Sequence, residues 1–107
     1  MFCQHNKNDY RQALPGILMK TLCYGDRTLM VEFVMDAGSE LPLHSHPYEQ
    51  TGYLVKGRIR LKIGDTEQEA RPGDSWCIPA DVEHGATTLE DALAVEVFSP
   101  VREDYLP

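Results

Sequence analysis

Turn signals recur along this chain every 8–12 residues or so, and nothing between them has helical periodicity with caps. They are Pro15-Gly16, Gly25-Asp26, Asp36-Ala37-Gly38, Gly64-Asp65, Arg71-Pro72-Gly73-Asp74 and Pro79-Ala80-Asp81. The segments they bound read as strands: 17–24, 28–35, 53–55, 58–63, 75–78 and 92–98. Arg58 to Ile63 alternates without a break, with Ile59, Leu61 and Ile63 on one face and Arg58, Arg60 and Lys62 on the other. In 28–35, Leu29, Val31, Phe33 and Met35 alternate against Met30, Glu32 and Val34. Many short strands closely punctuated by turns predict an all-β sandwich or barrel. With 107 residues the expectation is one domain, residues 1–107. Residues 1–15 are polar and mixed, and are expected to be frayed, or draped over the body or a partner. So small a sheet must cover its edges, which favours a homodimer.

The charge balance excludes several functions. A net charge of −7 leaves no basic footprint for nucleic acid or for anionic lipid. No apolar run approaches the length of a membrane span. Cys3, Cys23 and Cys77 are scattered and odd in number, and the first residues lack the basic and apolar regions of a secretion signal. The expectation is free thiols in a cytoplasmic protein whose partner is a small molecule.

The chemistry-bearing stretch is His44-Ser45-His46-Pro47-Tyr48-Glu49-Gln50. On a strand, residues at i and i+2 share a face about 7 Å apart, so two imidazoles can converge on one ion. Gln50 offers a neutral amide oxygen, and Glu49 beside it points the other way in extended chain. His84 is remote, but a closed barrel can bring it alongside. Three histidines and a glutamine carry no charge, so a divalent ion held by them keeps its full Lewis acidity. On the residues alone, a polar surface loop is the simpler reading of His44 and His46.

The spacing across the chain decides between these. Gly38, His44-x-His46, Gln50 and Gly57 resemble the first motif of the cupin superfamily, and Gly73-Asp74, Ile78-Pro79 and His84 resemble the second. The resemblance implies an antiparallel β-barrel or jelly roll. It also implies one divalent transition metal (zinc, nickel, iron or manganese) on His44, His46, Gln50 and His84. Gln50 stands where glutamate is usual, and Asp81 where glycine is usual.

The ending is informative too. In 92–98, Leu93, Val95 and Val97 are expected to fill core, while Ala92, Ala94, Glu96 and Phe98 form a cavity wall. Arg102 can fold back to offer its guanidinium fork to a carboxylate. The run Val95-Glu96-Val97-Phe98-Ser99-Pro100-Val101-Arg102 resembles the ending of small bacterial cupins of pectin and alginate degradation, which open 4,5-unsaturated monouronates to linear keto-sugar acids. That resemblance implies catalytic roles for Glu96 and Arg102, and substrate binding by Phe98 and Arg102. The family has aspartate where this chain has Glu96. The ligand class implied is a small carboxylate-bearing molecule. The rival expectations are a metal-dependent dioxygenase and a non-catalytic binding cupin. Trp76 is assigned to packing, Cys77 to no chemistry, and Arg58, Arg60 and Lys62 to a solvated face.

Overall fold

The computed structural model describes all 107 residues. It is all-β, apart from one turn of 3-10 helix at Glu103–Tyr105. The strands are β1 Arg11–Leu14, β2 Ile17–Tyr24, β3 Leu29–Met35, β4 Glu40–His44, β5 Glu49–Ile63, β6 Thr66–Ala70, β7 Ser75–Ile78 and β8 His84–Ser99. All neighbours are antiparallel, in the order β1-β2-β3-β8-β5-β6, with β4 added to β8 and β7 added to β5.

The two long strands form the spine. β5 and β8 pair from Glu49↔Ser99 to Ile63↔His84. Each then carries different partners on its two halves. The first half of β5 holds β7 and its second half β6, while the first half of β8 holds β4 and its second half β3. The ribbon bends at register shifts between Leu54 and Ile59. Gly57 makes that corner with φ +88°, and a Cβ there would lie 2.3 Å from the Asp91 carbonyl oxygen. Bulges of this kind curl a sheet into a barrel.

The expected strands 53–55 and 58–63 are therefore one strand, and 92–98 is the second half of a longer one. Of the alternatives for residues 1–15, the structure shows the segment draped over the body. β1 pairs with β2, Lys20 Nζ donates to Asn6, and the Tyr10 hydroxyl donates to Glu32. That hydrogen bond and burial push the Tyr10 phenol up to about 12.

The interior holds two apolar clusters. One joins Ile17, Met35, Leu54, Ile59, Ala70, Ala92 and Ala94. The other joins Met19, Leu29, Val31 and Phe98, flanked by Tyr48 and Tyr105. This corrects the expected core face of the last strand. Ala92, Ala94 and Phe98 are buried, whereas Leu93, Val95 and Val97 are half-buried on the outer side. A barrel has one inside, so core and cavity wall share a face, and small alanines suit its narrow bore. Arg58 and Arg60 pair with Glu69, Glu90 and Glu67 on the solvated face, opposite buried Ile59 and Leu61.

Candidate metal centre and cavity

The register that builds the barrel also assembles the histidines. His44 ends β4 and His84 begins β8, and the two are direct cross-strand partners. His46 lies just past β4 in the turn into β5, so the i, i+2 pair straddles a strand end. That turn is tied to the second motif by the Asp81 N–H, which donates to the His46 carbonyl at 2.8 Å. Asp81 itself has φ +66°, the left-handed region in which aspartate is among the few tolerated side chains. This is how the chain keeps the turn where the family has glycine.

Ring centroids lie 4.2 Å apart for His44 and His84, 4.8 Å for His46 and His84, and 5.6 Å for His44 and His46. One ring nitrogen from each falls within 4.8 Å of the others. Each Nδ1 sits on a backbone carbonyl: Pro42 at 2.9 Å, Tyr48 at 3.1 Å and Val82 at 2.9 Å. Those carbonyls only accept, so each Nδ1 donates, and each Nε2 keeps its lone pair for a ligand. Such backbone bonds are what orient histidines around a metal.

Two observations test the fit. His84 is 1% exposed, and its Nε2 has no hydrogen-bond partner. His46 Nε2 lies 3.0 Å from Gln50 Oε1. With Nδ1 donating, that is a lone pair facing an oxygen, which needs a proton or a shared cation between them. The Gln50 amide is held in this sense because its Nε2 donates to Glu96 Oε1 at 2.6 Å. A cation on the four groups satisfies both positions, so the donor set fits a divalent metal. Burial pushes the His46 and His84 imidazoles below the ordinary histidine range, aided at His46 by the nearby Arg102 charge. Neutral imidazole is the form that ligates.

The remaining expected residues line the same cavity. It encloses about 360 Å³ between the histidines, Gln50, Glu96, Phe98, Arg102 and the apolar wall. Burial pushes the Glu96 carboxyl up, and hydrogen bonds from Gln50 and Trp76 oppose the shift. Arg102 is carried over the cavity by the short helical turn, whose Tyr105 packs edge-on against Phe98 at 5.4 Å. Its guanidinium stacks 3.9 Å from the Tyr105 ring and 5.1 Å from those of Phe98 and Tyr48. Its Nε and Nη2 donate to the two oxygens of Asp104 at 3.2 and 2.8 Å. Glu49 is exposed and takes no part.

The sequence reading missed one member and gave another, Asp104, only as an alternative surface partner of Arg102 beside Glu103. Trp76 is more than packing, since its Nε1 donates to Glu96 at 2.9 Å. Asp104 holds the Arg102 fork. The signal for Trp76 was a glycine, Gly52, inside a strand.

Residues 31–100 match the family described as Cupin domain. This chain belongs to the cupin family. Among solved cupin structures it is similar to KdgF from Halomonas sp., at 30% identity and a TM-score of 0.93 over 99% of this chain and all of that one. A RmlC-like cupin from Shewanella frigidimarina is similar at 26% identity and a TM-score of 0.92, covering 98% and 95% of the two chains. A curated relative, 3-hydroxyanthranilate 3,4-dioxygenase of Brucella anthropi, is 25% identical over 103 residues. The cupin spans 91% of itself but only 57% of that relative's length in this match. No helix is long and apolar enough to cross a membrane.

Proposed function

We propose that this cupin is a metal-dependent isomerase that opens the ring of 4,5-unsaturated monouronates, giving linear keto-sugar acids. The observation that carries the reading is that Glu96, Phe98 and Arg102 line the cavity into which His44, His46, Gln50 and His84 converge. The resemblance of the C-terminal run and the likeness to KdgF along the whole chain support it.

The reaction is an internal proton transfer. The anomeric hydroxyl loses its proton, the C1–O5 bond breaks, and its electron pair stays on O5. C4 gains a proton as C5 becomes a ketone, so atoms and electrons balance without a co-reactant. A divalent ion on His44, His46, Gln50 and His84 would supply Lewis acidity to a hydroxyl or carbonyl oxygen. Glu96 would accept and return the proton. A carboxyl whose proton affinity is raised by burial suits that work near neutral pH. Both protein donors to Glu96 land on Oε1, which leaves Oε2 for the substrate. Arg102 gives one edge of its fork to Asp104 and keeps the other, with Nη1, for the substrate carboxylate. Phe98 would form the wall against the ring.

The test is the loss of the enol-ether ultraviolet absorbance of an unsaturated monouronate. Arg102→Ala should lose at least tenfold in kcat/KM while keeping its metal content, since a charge-assisted pair is removed. Equal activity in that variant defeats the assignment. A dioxygenase is the second reading, favoured by the Brucella anthropi relative. Oxygen uptake by the iron-loaded protein with a 3-hydroxyanthranilate-like substrate would move the assignment there.

A further inference from the structure

One row of the sheet crosses three strands as Trp76 on β7, Gly52 on β5 and Glu96 on β8. Residues opposite one another in such a row point to the same face. Trp76 and Glu96 are next-but-one neighbours, separated by the width of β5, about 10 Å from strand to strand. A side chain on β5 would normally fill that gap. Here position 52 has none, and the indole lies across it. A Cβ on Gly52 would fall 2.2 Å from Trp76 Cε2 and 2.3 Å from Nε1. Glycine inside a fifteen-residue strand weakens it, and here the bare backbone is what admits the ring.

The ring that crosses Gly52 ends on the carboxylate. Trp76 Nε1 donates to Glu96 Oε1 at 2.9 Å, the oxygen that also accepts from Gln50 at 2.6 Å. Oε2 has no hydrogen bond from the protein. The two donors differ in kind. Gln50 is a flexible amide whose other end faces His46. The indole is a rigid plate with a single N–H, wedged over a backbone that has no room for anything else. We infer that Trp76, acting across the gap at Gly52, is a positioning residue that pins one oxygen of Glu96 and leaves the other as its working atom. Glutamate has one more rotatable bond than aspartate, so the carboxylate of this chain needs such an anchor to hold one geometry.

The inference rests on the reading of Glu96 as the proton carrier, and its test has two arms. Trp76 is the only tryptophan, so ¹⁵N-labelled protein gives a single indole N–H resonance. In Glu96→Ala that resonance should move upfield and lose its protection from exchange. No movement overturns the hydrogen bond and the inference with it. In the metal-loaded protein, Trp76→Phe keeps a ring but loses the donor. It should lower kcat about tenfold or more on unsaturated monouronates, with KM within about twofold and metal content unchanged. A Trp76→Phe enzyme with wild-type kcat also overturns the inference. Wild-type protein with no turnover of these sugars overturns the proposed function instead, and the indole resonance then decides whether Trp76 anchors Glu96.

Discussion

At Arg102 the carboxylate of the proposed substrate would share one guanidinium with Asp104. Asp104 already holds the Nε–Nη2 edge, and three aromatic rings hold the plane. A preformed fork loses less freedom on binding than a free arginine would. Asp104→Asn should therefore raise KM for the uronate several-fold with little change in kcat, read from steady-state kinetics. The same pair has a pH consequence. Arg102 holds the Asp104 carboxyl below its usual 3.8. Its stabilisation is present above that value and is lost as pH falls from there through the lower folded value. Denaturant titrations should show a shallower acid decline for Asp104→Asn, by a small margin because the Asp104 carboxylate is about half exposed to solvent. Motif spacing and the family resemblance it carries singled out His44, His46, Gln50, His84, Glu96, Phe98 and Arg102, and the structure brings all seven to one cavity. Trp76 escaped because its role is a relation. Trp76 matters through a glycine on the neighbouring strand and a glutamate on the strand beyond it, and no reading along one segment brings those three together.

Among the elements, β5 and β8 explain both the successes and the errors of the sequence reading. Clean alternation made 28–35 and 58–63 easy to see. β4 and β6 were not, because Pro42 interrupts Glu40-Leu41-Pro42-Leu43-His44 and Thr66-Glu67-Gln68-Glu69-Ala70 is mostly exposed and lacks an apolar face. The first half of β8 was hidden for another reason. Its pattern is interrupted at Glu90 and Asp91, where the ribbon turns its corner against Gly57. Alternation cannot say which side is inside, so Leu93, Val95 and Val97 were assigned to the core when the small residues fill it. The corner itself can be tested. Gly57→Ala would set a Cβ 2.3 Å from the Asp91 carbonyl oxygen and 2.5 Å from Ala92 Cα, at φ +88°. Backbone on both sides leaves little room to relax. The expected loss is roughly 2–4 kcal/mol from left-handed strain plus overpacking, measured by urea denaturation.

For the molecule as a whole, the barrel interior serves two ends that oppose each other. It must bury enough apolar surface to hold a 107-residue chain together. It also encloses three imidazoles, an amide and a carboxyl around one cavity. Polar groups that lack partners destabilise an interior, and His84 Nε2 is such an orphan. A ligand that binds only the folded chain returns that loss by mass action. Zinc or nickel at about a hundredfold over its dissociation constant should add about 2.7 kcal/mol. For a domain of this size that corresponds to a rise in Tm of roughly 10–20 °C. His84→Ala separates the two effects. It removes a ligand together with the unsatisfied nitrogen, so the metal-free variant should lose less than an ordinary buried truncation. Its metal-induced rise in Tm should shrink to a few degrees or vanish. Differential scanning fluorimetry of both proteins, with chelator and with metal, reads the two quantities side by side. A His84→Ala variant that still gains the full rise would place the ion elsewhere and dismantle the site from which the proposed chemistry is built.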